Sequence, residues 1–317
     1  MMTSRNLMIL LGLAALIVAP AFIYPMLIVK LLCFAIFASA FNLMLGYTGL
    51  LSFGHAMFFG SAGYALGVTM KFLNWTPEMG LLAGVAVAAL IGFVAGSIAI
   101  RRQGIYFAMI TLAISQLIYF LAMQMEWTGR DDGLHGIPRG HLFGLVSLEN
   151  DLALYALVAV CFVLALLAIH RIVTSPFGQV LTAIRENEPR AISLGYDVER
   201  YKVLAFTLSA ALSGLAGGLK ALALSYESLN DLHWALSGEV VMMCILGGLG
   251  TLGGPVAGAF FVILLQNFLA DKVGEWLSVI IGVVFLTCIL AFRKGLVGEI
   301  AAWVERRPSS RPQEGGK

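Results

Sequence analysis

The chain has 317 residues, of which 60% are hydrophobic and only 12% charged. A water-soluble domain of this size carries about a quarter charged residues, so a soluble globular protein is excluded. The formal net charge of +2 is too small for a surface built to bind nucleic acid.

The apolar residues fall in long blocks rather than at amphipathic spacing, so the bilayer is the solvent that fits them. Arg5 followed by an apolar run has the outline of a signal peptide, but so many similar segments follow that a first membrane helix is the better reading. About 20 mostly apolar residues cross the hydrocarbon core. On that measure the candidate spans are 7–24, 26–46, 54–73, 79–100, 104–124, 152–170, 201–225, 237–249, 253–270 and 274–292. The eighth is short, so it and the ninth are candidates for broken or re-entrant helices. The fold class expected is an all-α membrane protein, a polytopic bundle of about ten transmembrane helices.

Lys and Arg in short loops set the orientation. Arg5, Arg101 and Arg102, the group from Arg171 to Lys202, and the group from Arg293 to Arg311 all fall on one side if there are ten helices. That side should be cytoplasmic, with both termini inside. The permease domain is expected over 1–303. It carries an outer polar loop, 125–151, and a cytoplasmic loop, 171–200. The tail, 304–317, is rich in Pro, Ser, Gly and charge and is expected to be disordered.

Within the inner loop, 180–186 should form one short helix, and Pro189 suits the first turn of a second one ending near Gly195. Composition leaves two readings of this loop open, a docking knob and a solvated connection.

Many of the 35 glycines lie inside spans. Gly63 and Gly67, Gly92 and Gly96, Gly214 and Gly218, and Gly254 and Gly258 form G-x-x-x-G pairs, which let helices approach closely. Two stretches are denser: Gly46, Gly49, Ser52, Gly54 and His55, and then Gly247, Gly248, Gly250, Gly253 and Gly254. Both lie between spans at the inner face, where interrupted helices can line a pathway. Asn42 and Ser52 add polar side chains there, for a pathway or for helix–helix hydrogen bonds. At an offset of 201, Leu45, Gly46, Gly49 and Leu51 match Leu246, Gly247, Gly250 and Leu252, as an internal repeat would.

Gly248-Leu-Gly250-Thr-Leu-Gly253 also fits a dinucleotide fingerprint, but it sits in an apolar block with no βαβ unit around it. No phosphate-binding G-x-x-x-x-G-K-[ST] occurs, and no metal-ligand or nucleophile–base constellation is evident. The four cysteines form no C-x-x-C pair. The ionisable residues within spans, Lys30, His55, Lys220 and Glu239, lie towards span ends and read as snorkelling side chains. An ion-coupled carrier would need a better site than these. The chain is therefore expected to be no enzyme and to hold no cofactor or metal.

The stretch from Phe41 to Gly60, the inner loop from Arg185 to Tyr201, the run Leu246–Pro255 and the outer run Thr128–Pro138 resemble the LivM-type permeases of branched-chain amino-acid ABC importers. The resemblance implies several expectations. Arg185, Glu186, Glu188, Arg190, Ala191 and Gly195 would correspond to the E-A-A…G loop that docks on the ATPase. A LivH-like permease would complete a heterodimer in the bacterial inner membrane, among its lipids. Two cytoplasmic ATPase subunits would bind the ATP, and a periplasmic or lipid-anchored binding protein would deliver substrate. The outer-loop residues Thr128, Gly129, Asp131, Asp132 and Gly133 would lie near that delivery face. Arg130, Pro189 and Arg190 depart from the usual pattern. Urea and short amides are cargoes of the same family.

Overall fold

The computed structural model describes residues 24–291, together with Leu16, Val18, Ala19, Pro20, Phe22 and Gly295. Most of the predicted first span and all of the predicted disordered tail, 304–317, lie outside the described residues.

The helices follow the apolar blocks. They are α1 (Pro25–Leu45), α2 (His55–Phe72), α3 (Pro77–Ala99), α4 (Ile105–Gln124) and α5 (Asp151–Thr174), then the loop helices α6 (Pro176–Glu186) and α7 (Glu188–Ser193). After these come α8 (Val198–Leu224), α9 (Trp234–Gly247), α10 (Gly254–Val273) and α11 (Leu277–Ala291). Five of them, α1, α3, α4, α5 and α8, are long and apolar enough to cross a membrane by themselves. α9 is only 14 residues long, as short as its apolar block suggested.

Capping chemistry moves two boundaries outward from the apolar blocks. The Asn150 side chain accepts from Leu152 N at 2.9 Å and opens α5. The Asp197 side chain accepts from Arg200 N and opens α8 three residues before the predicted start. α6 likewise begins at Pro176 rather than 180, because Ser175 caps it and Pro suits the first turn.

α1 is buried along most of its length. α8 packs against α1, α2 and α3 through small residues. A Cβ at Gly92 would overlap that of Ala210, one at Gly214 would overlap Ala88, and one at Gly217 would overlap the Phe59 carbonyl. The G-x-x-x-G pairs of α3 and α8 thus serve packing within the chain. At Gly258 a Cβ would overlap the Met243 carbonyl, so the α9–α10 hairpin closes backbone to backbone.

Gly238, on α9, has open space where a Cβ would point. Gly217→Ala should therefore cost most of the well-folded protein recovered from membranes, whereas Gly238→Ala should cost little. Monodisperse yield after detergent extraction measures the difference.

Short extended pieces decorate the outer connections. β1 (Leu134–His135) pairs antiparallel with β4 (Tyr226–Glu227), and β2 (His141–Leu142) pairs with β3 (Val146–Ser147). The first pairing staples the outer loop to the turn between α8 and α9. That turn lies against α2, where Gly60 leaves room for Asp231 and Leu232, and Gly63 for Glu227.

Candidate functional site

Three groups of residues expected from the sequence have definite surroundings. The first is the inner junction. Asn42, near the end of α1, donates from Nδ2 to the Thr251 carbonyl at 2.9 Å and accepts from Gly250 N at 3.0 Å. Gly46 closes the same corner, since a Cβ there would lie 2.7 Å from Gly250 N. Arg185 donates to the Gly46 carbonyl, and its aliphatic stem covers Gly49. Gly49, Gly248 and Gly250 all have positive φ, which glycine adopts without the steric penalty of a side chain. The two glycine-rich stretches matched as a possible repeat therefore lie side by side.

Ser52, Gly54, His55 and Gly247 are placed elsewhere. Ser52 accepts from Gly54 N at 3.2 Å, and Gly54 is pressed on the Thr111 carbonyl. His55 is fully buried. Its Nε2 lies 2.9 Å from Ser209 Oγ, which donates to the Ala40 carbonyl. The network assigns the proton to Nε2. The ring edges of Phe41, Phe58 and Phe206 enclose it. The snorkelling expected for His55 is corrected by this packing. Gly247 is buried against Gly254 and Gly258.

The second group is the loop between α5 and α8, expected to be cytoplasmic. α6 and α7 meet at Asn187, whose side chain accepts from Arg190 N at 3.0 Å. Glu188 turns inward and pairs with Lys202 at 2.7 Å, and Lys202 is only 3% exposed. Ala191 packs in a small apolar cluster with Ile184 and Val198. Gly195 at φ 88° reverses the chain after α7. Arg190 and Glu186 face outward, and Ile192, Leu194 and Tyr196 are exposed beside them.

The third group is the connection between α4 and α5, expected to be the outer loop. Thr128 is buried and donates to the Ala122 carbonyl. Gly129 and Gly133 hold positive φ on either side of Asp131 and Asp132, which are exposed. The Asp132 carbonyl accepts from Tyr226 Oη at 3.3 Å, and His135 Nε2 lies 2.9 Å from it. Arg130 pairs with Glu126 at 2.7 Å in the open. Lys71 donates to the His135 carbonyl at 2.8 Å.

One constellation was missed. Lys220 does not snorkel. It is buried, donates to Asp231 and lies 3.6 Å from Glu227. Glu227 is wholly buried, and neither of its carboxylate oxygens has a hydrogen-bond partner. The Tyr64 hydroxyl nearby is also buried and unpartnered. Burial raises the Glu227 carboxyl well above its ordinary range, Lys220 opposes this, and Asp231 adds to it. Two acids four residues apart, just beyond the end of a span that holds a lysine, were the available signal.

Among the described residues no group of His, Cys, Asp and Glu is arranged to hold a metal ion.

The family model described as "Branched-chain amino acid transport system / permease component" matches residues 23–289. The chain is 28% identical over 300 residues to the high-affinity branched-chain amino acid transport system permease protein LivM of Escherichia coli (strain K12), covering 86% of this chain and 67% of that protein. It is 24% identical over 266 residues to the probable branched-chain amino acid transport permease protein LivM of Methanocaldococcus jannaschii, covering 72% and 76% respectively. It is 25% identical over 242 residues to the autoinducer 2 import system permease protein LsrC of Salmonella typhi, covering 73% and 69%. No solved structure matches the chain.

Proposed function

The chain belongs to the family of branched-chain amino acid transport system permease components and is a multi-pass protein of the bacterial inner membrane, and on that premise we propose that it is the permease subunit of an ATP-driven importer of branched-chain or related amino acids. The observation that carries this reading is the cytoplasmic loop. Two short helices held to α8 by the buried Glu188–Lys202 pair present Ile192, Leu194 and Tyr196 outward. Exposed apolar side chains on a rigid knob suit a protein partner, here an ATPase subunit.

In this reading the permease domain, over 1–303, has about ten spans with both termini cytoplasmic, as the positive loops favour. A LivH-like permease completes the membrane dimer, and two ATPase subunits bind and hydrolyse ATP below it. A periplasmic binding protein docks outside, near Thr128–Gly133. Nucleotide binding favours one state of the dimer over another, and the population shifts accordingly.

The test is uptake of radiolabelled leucine by cells lacking their own high-affinity leucine uptake, with this chain expressed beside its neighbouring permease, ATPase and binding-protein genes. Uptake that needs ATP and an intact 188–195 loop is the expected result. No leucine uptake by an assembled complex with active ATPase would move the cargo to urea, amides or other solutes. Ion-driven uptake by this chain alone would overturn the proposal.

A further inference from the structure

Arg185 stands where the cytoplasmic loop meets both glycine-rich breaks. It lies in the last turn of α6, whose Leu181 is buried with Met44 and Leu50 of the membrane domain and whose Ile184 is buried with Ala191 and Val198. From there Nη1 donates to the Gly46 carbonyl, at the end of α1. Its stem fills the space over Gly49, where a Cβ would lie 3.1 Å from Cγ. A Cβ on Gly250, in the other break, would lie 3.4 Å from Nη1. Asn42 binds the same corner from inside, holding Gly250 N and the Thr251 carbonyl. Interrupted helices leave backbone groups unpaired, and here two side chains satisfy them, one from α1 and one from the loop.

The covalent link from α5 offers a poorer path for the loop's motion. Ser175, between α5 and α6, is in extended conformation. Such positions absorb rotation as hinges. A planar guanidinium on a carbonyl is a directional contact, and the glycines around it bend at little steric cost.

We propose that Arg185 is the positioning residue that carries displacement of the cytoplasmic loop into both glycine-rich breaks, so that α1, α9 and α10 move together with it. The inference rests on the reading of residues 188–195 as the ATPase-docking knob. α5, joined to the loop through Ser175, then acts mainly as a tether, while α8 stays fixed to α7 through the Glu188–Lys202 pair.

The test is amide hydrogen exchange on the whole importer complex in lipid nanodiscs, nucleotide-free and with ATP plus vanadate. In the wild type, exchange in 46–54 and in 247–254 should change by about tenfold or more with nucleotide, the order that one hydrogen bond to a charged donor corresponds to. Arg185→Met, which keeps the stem and removes the donors, should abolish that response in both breaks while 188–195 still responds. Arg185→Lys, able to reach the same carbonyl with one point charge, should restore part of it. A wild-type response in either break of Arg185→Met overturns the inference and leaves the docking reading standing. Loss of the response at 188–195 as well would assign Arg185 to folding of the loop and also overturn it. No nucleotide response at 188–195 in the wild type would remove the docking reading and the inference with it.

Discussion

Lys220→Met should nearly abolish recovery of folded protein. Lys220, Glu227 and Asp231 are buried together where the outer turn lies on α2. Among the described residues the lysine is the cation paired with these two acids, donating to Asp231 and lying 3.6 Å from Glu227. Removing one partner of a buried ion pair costs about 3–5 kcal/mol, because the remaining charge stays out of water without compensation. Typical folding stability is about 5–15 kcal/mol, so the loss is severe. Monodisperse yield and thermal unfolding measure it. Adding Glu227→Gln and Asp231→Asn to Lys220→Met should recover much of the yield, since no charge is then stranded. Wild-type yield from Lys220→Met alone would refute the pairing.

The same cluster has a pH signature. The Glu227 carboxyl is raised in the folded state, so the fold holds a proton that the unfolded chain has already released. That contribution to stability is complete below the ordinary glutamate value, about 4.3, and is lost as pH rises from there towards the folded value. The loss is at most about 1.4 kcal/mol per pH unit. Glu227→Gln should flatten this part of the stability profile.

Glu188→Lys should eliminate uptake while leaving the protein in the membrane. The substitution sets a second cation against Lys202, which is almost without solvent in which to shed its charge. The buried pair is worth about 3–5 kcal/mol to break, enough to free α7, six residues long, from the base of α8. The exchange Glu188→Lys with Lys202→Glu restores opposite charges and should recover a measurable share of uptake, the outcome expected of directly coupled sites. Leucine uptake set beside membrane levels of the protein decides it. Undiminished uptake in Glu188→Lys would show that the pair does not hold the knob. Glu188 is turned towards Lys202. Arg190, two positions on, is the one that faces out.

The sequence by itself determined the apolar helices of the described residues, the loop helices and the positions of both glycine-rich breaks. Each of these rests on local chemistry: runs of apolar side chains long enough for a bilayer, Ser175 before Pro176, Pro189 in a first turn, and glycines too dense for a continuous helix. Only the tertiary structure decided which of these pieces touch. Asn42 and Thr251 are joined by one hydrogen bond across 209 positions of sequence, and Arg185 reaches Gly46 across 139. Neither contact leaves a trace in composition or periodicity. The same holds for Lys220, which reads as a snorkelling lysine on its helix and becomes a buried one because a turn from beyond that helix folds back over α2. Burial is a property of what else packs on a residue. A span near its polar end looks the same in sequence whether lipid headgroups or two carboxylates meet its lysine.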